Sequence, residues 1–212
     1  VASPDTREAA APPPGTISAQ LVTTARGNLN LGTGLSLAPL RNTFVRAGLS
    51  WRLLTAWDQG PAAEDAEPSW SWGLGYDDWR PGTFSLQLNH WGPLRRVRKV
   101  ALEGAVATLG YKIPVPKRWS KYVSLRADLS TPLTWSPSLG AGIAFKLPRS
   151  FFLSLGVSQK LLEELSPTWS YVLGRSRWKA GTLAVVLANY GPNRLDQLNL
   201  RGLALSLSWS WS

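Results

Sequence analysis

The chain has 212 residues, a net charge of +10 and 44% hydrophobic residues, and no stretch reaches the roughly 18 to 20 uncharged apolar residues that a membrane-spanning helix needs. The absence of cysteine excludes disulfides and thiolate metal sites, and a single histidine argues against a transition-metal centre or a cofactor. The basic residues are spread over many turns, without an RNA-binding signature, which favours solvated or headgroup-facing positions over nucleic acid binding.

Residues 1–14 are rich in alanine and proline and have no periodicity, which predicts a flexible leader. The chain has no methionine, even at position 1, which predicts either that a signal peptide has been removed or that the sequence is a fragment. From Gly15 onward, runs of alternating apolar and small or polar residues are separated by Gly, Pro, Asn and Asp, which indicates strands. We expect residues 15–212 to form one domain of twelve strands, at 16–26, 28–38, 43–55, 69–79, 82–91, 97–112, 119–130, 133–147, 150–161, 168–177, 181–190 and 196–212.

The sequence contains an internal repeat. WSWGLGYDDWRPGTFSLQLNHWGP, which starts at Trp70, aligns without a gap with WSYVLGRSRWKAGTLAVVLANYGP, which starts at Trp169. This predicts a duplicated six-strand unit, at 15–115 and 119–212. The alignment sets His90 opposite Asn189, which favours a structural strand end over a catalytic histidine, so no catalytic residue is predicted.

The last strand separates two kinds of side chain by parity. From Gly202 to Ser212 the chain reads GLALSLSWSWS, with leucine and tryptophan at one parity and small residues at the other. The outer face of a soluble strand usually carries Lys, Glu and Thr, whereas this pattern is typical of a strand between lipid and a barrel lumen. Tryptophans near strand ends are expected at the membrane interface; they are Trp51, Trp70, Trp72, Trp79, Trp135, Trp169, Trp178, Trp209 and Trp211.

The connections between predicted strands alternate in length. The second, fourth, eighth and tenth are short, and the longest, from Asp58 to Pro68, is the third. Outer-membrane barrels have short periplasmic turns and longer outer loops, so we expect the short connections and their basic residues on the periplasmic side. These basic residues are Arg80, Arg149, Arg175, Arg177 and Lys179.

Residues 15–212 resemble a bacterial outer-membrane β-barrel. The resemblance rests on the alternation of side chains, the lengths of the connections, the placement of the tryptophans and the final strand. The resemblance implies an all-β fold, namely a closed antiparallel up-and-down transmembrane barrel of about twelve strands. It also implies an outer-membrane location, with membrane lipids and lipopolysaccharide as partners. The sequence departs from the family pattern at Ser212, where the last residue is usually Phe.

Strand parity places a set of charged residues toward the expected lumen. Rings of Lys or Arg would favour anions in a pore, whereas ion pairs, such as Arg126 with Asp128 or with a cross-strand partner, would give these residues a structural role in the wall. Both interpretations stay open for the candidate pore-lining residues Arg46, Arg52, Arg126, Asp128, Lys146 and Lys160.

Three functions fit these features. The first is a pore or export conduit for small anionic or sugar-like solutes or a polymer. The second is a structural or docking barrel in a larger envelope complex for secretion, polysaccharide export or motility, with periplasmic or outer-membrane proteins as partners. The third is a soluble, Trp-rich β-sandwich binding module, which would need a second sheet to cover the outward Leu and Trp side chains.

Overall fold

A computed structural model describes residues 15–25, 27–54, 68–78, 80–94, 104–163, 166–177, 181–194 and 200–211. The only α-helix in these ranges, α1 (Lys117–Ser120), is a single turn. No helix there has the length and apolar character needed to span a bilayer. Twelve strands make up most of the described chain: β1 (Gly15–Thr24), β2 (Leu29–Leu37), β3 (Thr43–Leu54), β4 (Ser69–Asp77), β5 (Phe84–Pro93), β6 (Val106–Ile113), β7 (Val123–Pro132), β8 (Ser138–Lys146), β9 (Phe151–Lys160), β10 (Thr168–Arg175), β11 (Leu183–Asn193) and β12 (Leu203–Trp211).

The twelve strands form one closed sheet. Each strand pairs antiparallel with its neighbours in the chain, and β1 pairs with β12 to close the ring. This confirms the predicted closed up-and-down barrel, in which closure leaves no unpaired strand edge. The third interpretation, a two-sheet sandwich, is wrong because the described strands all belong to this single sheet. The six-strand duplication stays a prediction, and the predicted leader at 1–14 lies outside the described residues.

Four predicted strands differ at their starts, whereas the others agree to within about three residues. In the strand predicted at 97–112, residues 97–103 lie outside the described residues, and β6 begins at Val106 after a turn in which Gly104 has a φ of 84°. The strand predicted at 119–130 begins only at Val123, because α1 precedes it and follows two prolines that lack a backbone N–H to donate. The strand predicted at 133–147 begins only at Ser138, because a turn occupies 133–137. In the strand predicted at 196–212, residues 196–199 lie outside the described residues, and a single helical turn at 200–202 precedes β12.

The barrel carries its apolar side chains on the outside. Among the described residues the only buried hydrophobic side chains are Ala105 and Ala188, whereas thirty-seven large hydrophobic residues are exposed, including Leu86 at 59% and Leu207 at 39%. The opposite parity of the strands carries mainly Ser, Gly and Ala. An apolar surface of this extent is far larger than soluble monomers tolerate, and it is compatible with an outer-membrane location.

Glycines on the inward parity make room for neighbouring side chains and backbone. A Cβ atom at Gly140 would come within 2.6 Å of the Asp128 carboxylate, and one at Gly73 within 2.5 Å of the Asn89 side chain. At Gly75 the added atom would overlap the carbonyl oxygen of Leu86 on β5. The inward glycines of β4 and β8 therefore have a packing function, as expected for strands that approach closely.

Gly75→Ala is expected to lower the free energy of unfolding by about 1–3 kcal/mol, because a clash with backbone cannot be relieved by a rotamer change. The matched control is Gly32→Ala, whose Cβ would find its nearest neighbour at 3.7 Å, an ordinary contact. Urea unfolding of the barrel refolded in lipid vesicles measures both. Equal losses in the two variants would contradict crowding at Gly75.

Candidate functional site

The inward face of the barrel encloses a hydrophilic lumen. A cavity of about 480 Å³ lies against β1–β5. Trp91, near the end of β5, occupies an inward-facing position, lines this cavity and is 67% exposed. The rest of the cavity wall combines Arg46 and apolar residues such as Leu35 and Leu49 with hydroxyl and amide groups. The polar groups include those of Ser18, Gln20, Asn30, Ser36, Ser50 and Ser71.

The charges of the lumen lie on one side of the ring. Inward positions on β3–β9 carry six cations and two acids. On β10, β11, β12, β1 and β2, the described inward positions hold no charged residue. The lumen therefore has a charged wall facing an uncharged wall, and the charged residues are Arg46, Arg52, Lys112, Arg126, Lys146, Lys160, Asp77 and Asp128.

Arg46 extends across β4 to reach β5. Its Nη2 donates to Gln87 Oε1 at 3.4 Å and to Asn89 Oδ1 at 3.3 Å, and its guanidinium carbon lies 4.5 Å from the centre of the Phe44 ring. Gly73 on β4 leaves the space through which the side chain passes. Because the two amide oxygens are neutral, they hold the guanidinium in place without cancelling its charge.

Arg126 and Asp128 lie on the same inward face of β7 but do not form an ion pair. Arg126 extends over Gly110, and Asp128 over Gly140. The ion pairs found in the described ranges join Arg80 to Asp78, Lys112 to Asp77 and Lys160 to Glu163. The example pair Arg126 with Asp128 is therefore absent, whereas the candidate Lys160 does form an ion pair, so the structural interpretation of these residues stays a prediction beside the anion-selective one.

The remaining candidate lumen residues lie near the two mouths. Lys160 ends β9 and pairs with Glu163 at 2.7 Å. Hydrogen bonds from Lys160, and then from the Ser136 hydroxyl at 3.0 Å, lower the pKa of Glu163 in the loop that follows. Arg52 lies opposite Asn30 at the same mouth. Lys146 ends β8 at the opposite mouth, where the chain termini also lie, and it is exposed.

The predicted interfacial tryptophans that the structure describes lie at both ends of the strands. Two occupy the end of β12 at the terminal mouth, with rings 6.4 Å apart: Trp209 and Trp211. Five lie near the mouth of the long loops: Trp51, Trp70, Trp72, Trp135 and Trp169. Trp79 and Trp178, together with the basic-turn residue Lys179, lie outside the described residues.

His90 has the outward parity of β5 and is buried under aromatic rings, at 5% exposure. Its ring lies 4.8 Å from that of Trp70 and stacks on that of Trp72 at 5.7 Å, with 7° between the planes. The rings shield a polar group on the apolar side of the barrel, which supports a structural role. The stacking on Trp72 was not predicted, although a period of two places both residues on one face.

Asn189 holds a comparable buried position on β11. Asn189 and Asn193 are both fully buried, and Asn193 donates to Asn189 Oδ1 at 3.1 Å and to the Trp169 carbonyl oxygen at 2.9 Å. The Trp169 indole donates to the carbonyl oxygen of Arg194 at 2.9 Å. The sequence pattern did not reveal Asn193, because a shift in strand register between Trp169 and Tyr171 brings it to this position.

The β4–β5 turn at the terminal mouth is held by Asp78, whose side chain is 4% exposed. The Arg80 side chain donates to Asp78 at 2.6 Å and the Arg80 amide donates at 3.0 Å, and these bonds hold the pKa of Asp78 well below its ordinary value. Gly82, with a φ of 82°, completes the turn in a conformation that favours glycine. Lys112 pairs with Asp77 at 2.8 Å and also donates to the Asp78 carbonyl oxygen.

Asp78→Asn is expected to speed hydrogen exchange at the Arg80 amide, because the ionised acceptor is lost. The pKa of the Asp78 carboxyl is lower in the folded protein than in the unfolded chain, so the ionised carboxylate stabilises the turn above about pH 4. This stabilisation is lost as the pH falls through the pKa of the folded protein. The exchange rates of the Arg80 amide in the wild type and in Asp78→Asn, measured against pH, should therefore differ most near neutrality. The Leu147 amide, bonded to Phe151 in another turn, is the control; an equal change there would contradict a local role.

The described residues do not bring three His, Asp or Glu side chains together in the way a metal site requires. The sequence matches no protein-family model and no curated protein. The lumen and its two rims are therefore the site on which a functional argument can be built.

Proposed function

We propose that this protein forms a hydrophilic pore across a bacterial outer membrane and passes small anionic and sugar-like solutes. The observation that carries the proposal is the contrast between the faces of the barrel, apolar outside and small, polar and basic inside. An outer-membrane barrel with a polar interior is the arrangement found in aqueous channels.

The size of the inward side chains supports an open lumen. Side chains fill barrels of about eight strands, whereas larger barrels enclose cavities or channels. In this twelve-stranded barrel the inward positions are mostly Ser, Gly, Ala and Thr, which project little into the lumen. The cavity of about 480 Å³ against β1–β5 is of the size that holds a small solute.

The charges of the lumen support passage of anions. Two of the six inward cations, Lys112 and Lys160, are neutralised by acidic partners. Within the described ranges, the other four face a single inward acid outside those ion pairs, Asp128, which leaves a surplus of positive charge. Cations lining a pore raise the local concentration of anions.

The uncharged wall supports passage of sugar-like molecules. Its hydroxyl and amide groups can donate and accept hydrogen bonds, so they can replace part of the water around a polyhydroxylated solute. Ser18, Gln20 and Asn30 line this part of the cavity.

The experiment is to insert the purified protein into a planar lipid bilayer under a KCl gradient. The proposal predicts a stable current with a reversal potential of the sign given by chloride selectivity, and swelling of protein-containing vesicles in an uncharged sugar. Protein unfolded by heat is the control. A folded protein that inserts without conducting, and that co-purifies with envelope proteins, would favour the docking interpretation and contradict the pore.

A further inference from the structure

Three consecutive connections at the terminal mouth are basic. In the described residues, the segments 114–122, 147–150 and 176–177, together with Arg175 at the end of β10, contain no Asp or Glu. They follow β6, β8 and β10, so they lie next to one another around half of the rim. We define the basic arc by its six exposed cations in the described residues: Lys117, Arg118, Lys121, Arg149, Arg175 and Arg177.

Three cations of the basic arc lie against exposed aromatic rings. The rings are 42–52% exposed, and each cation lies within 6 Å of the ring centre, the range of cation–π contact. Aromatic side chains at the ends of membrane strands mark the headgroup level of a bilayer. The pairs are Arg118 with Trp119 at 5.9 Å, Lys121 with Tyr122 at 4.7 Å and Arg175 with Phe151 at 5.8 Å.

Arg175 also shows which way the arc faces. It lies opposite Phe151 on β9 and Val185 on β11, both on the apolar parity, so its side chain lies on the outer side of the barrel and not in the lumen. The described acids of this rim, Asp77 and Asp78, lie at the end of β4, outside the arc, and are engaged by Lys112 and Arg80. The charge of Arg175 is therefore available at the outer side of the barrel, and the described acids of this rim do not neutralise the arc.

Arg149 occupies a backbone position that does not suit arginine. Arg149 and Ser150 have φ angles of 58° and 66° in the two-residue turn between β8 and β9, where Asn-Gly is the favoured pair. Arginine in a left-handed conformation is strained, whereas Asn or Gly at the same position would not be. Strain of this kind points to a role for the arginine side chain. The position retains a cation that belongs to the basic arc.

We infer that the basic arc binds the phosphates of anionic phospholipids in the membrane leaflet on the side of the chain termini. Phosphate takes hydrogen bonds from Arg and Lys, and anionic lipids attract basic residues next to a membrane. The aromatic partners and the outward position of Arg175 favour lipid over an acidic protein segment. The inference rests on the barrel lying in a bilayer and does not depend on the lumen being open.

The test is native mass spectrometry of the detergent-solubilised protein titrated with phosphatidylglycerol or phosphatidylcholine. We expect the wild type to retain phosphatidylglycerol in preference, and Arg118→Gln with Arg175→Gln to weaken that retention about tenfold. The matched control, Arg41→Gln with Arg194→Gln, removes two exposed arginines outside the arc and should retain the preference. Equal loss in both variants, no preference in the wild type, or binding of a poly-glutamate peptide in place of the lipid would overturn the inference.

Arg149→Asn separates lipid binding from folding, because the substitution is expected to raise the stability of the barrel and to weaken its binding of anionic lipid. Asparagine relieves the left-handed strain, so the variant should unfold at a higher urea concentration than the wild type while binding less phosphatidylglycerol. A variant that is more stable and binds the lipid as the wild type does would overturn the role of Arg149. Conductance in a planar bilayer, measured on the same variants, reports the pore separately.

Discussion

Leu207→Arg is expected to destabilise the barrel in a lipid bilayer by about 2–4 kcal/mol, the cost of a cation on the lipid side near mid-depth. Leu207 lies in the middle of β12, between Leu21 on β1 and Val185 on β11, and is 39% exposed on the apolar face. In a barrel surrounded by water, the same substitution would replace an exposed leucine with a solvated arginine at almost no cost. The variant therefore tests directly whether hydrocarbon contacts this face.

The matched control for Leu207 is its neighbour Ser208, which has the inward parity. Ser208 pairs with Gln20 and Ala184, both on the lumen side, so Ser208→Arg places its charge among polar groups and should cost much less. Urea unfolding in vesicles measures both variants. Equal stability of the Leu207→Arg protein and the wild type would contradict the membrane assignment, whatever the bilayer currents show.

The faces of the strands could be predicted from sequence because alternation is a local property. In β12 and β8, each side chain is assigned by the parity of its position, and neighbouring strands agree once the sheet closes. The starts of several strands could not be predicted in the same way. The alternation around β6 did not reveal the turn at Gly104, and the alternation of β8 was extended backwards through Trp135, whose φ of 63° interrupts the strand.

Contacts that cross strands could not be predicted, because they depend on register. Parity identified Arg46 as an inward cation, but its hydrogen bonds to Gln87 and Asn89 require β4 to carry a glycine at the level of the guanidinium. In the same way, Arg149 and Arg175 were predicted only as members of a set of basic residues on the periplasmic side. Their grouping into the basic arc follows only from the order of the strands around the ring.

Arg46→Glu combined with Arg126→Glu is expected to change the pore from chloride-selective to potassium-selective. Arg46 is held by two neutral amides, and Arg126 has no ion pair with Asp128, so in both cases the charge acts on ions in the lumen. In water, a unit charge about 5 Å from an ion changes the electrostatic free energy of that ion by slightly less than 1 kcal/mol. Reversing two such charges should therefore change the chloride-to-potassium permeability ratio about tenfold or more.

The reversal potential in a KCl gradient measures this ratio, and Arg41→Glu is the control, because Arg41 is an exposed cation in the β2–β3 turn and not on an inward strand position. A structural role for the two arginines predicts instead a lower unfolding midpoint with unchanged selectivity. The side-chain amides of Gln87 and Asn89 can donate to a carboxylate as readily as they accept from the Arg46 guanidinium, so Glu at position 46 keeps hydrogen-bond partners. An unchanged reversal potential in a folded, conducting protein would then mean that solutes do not pass the charged wall.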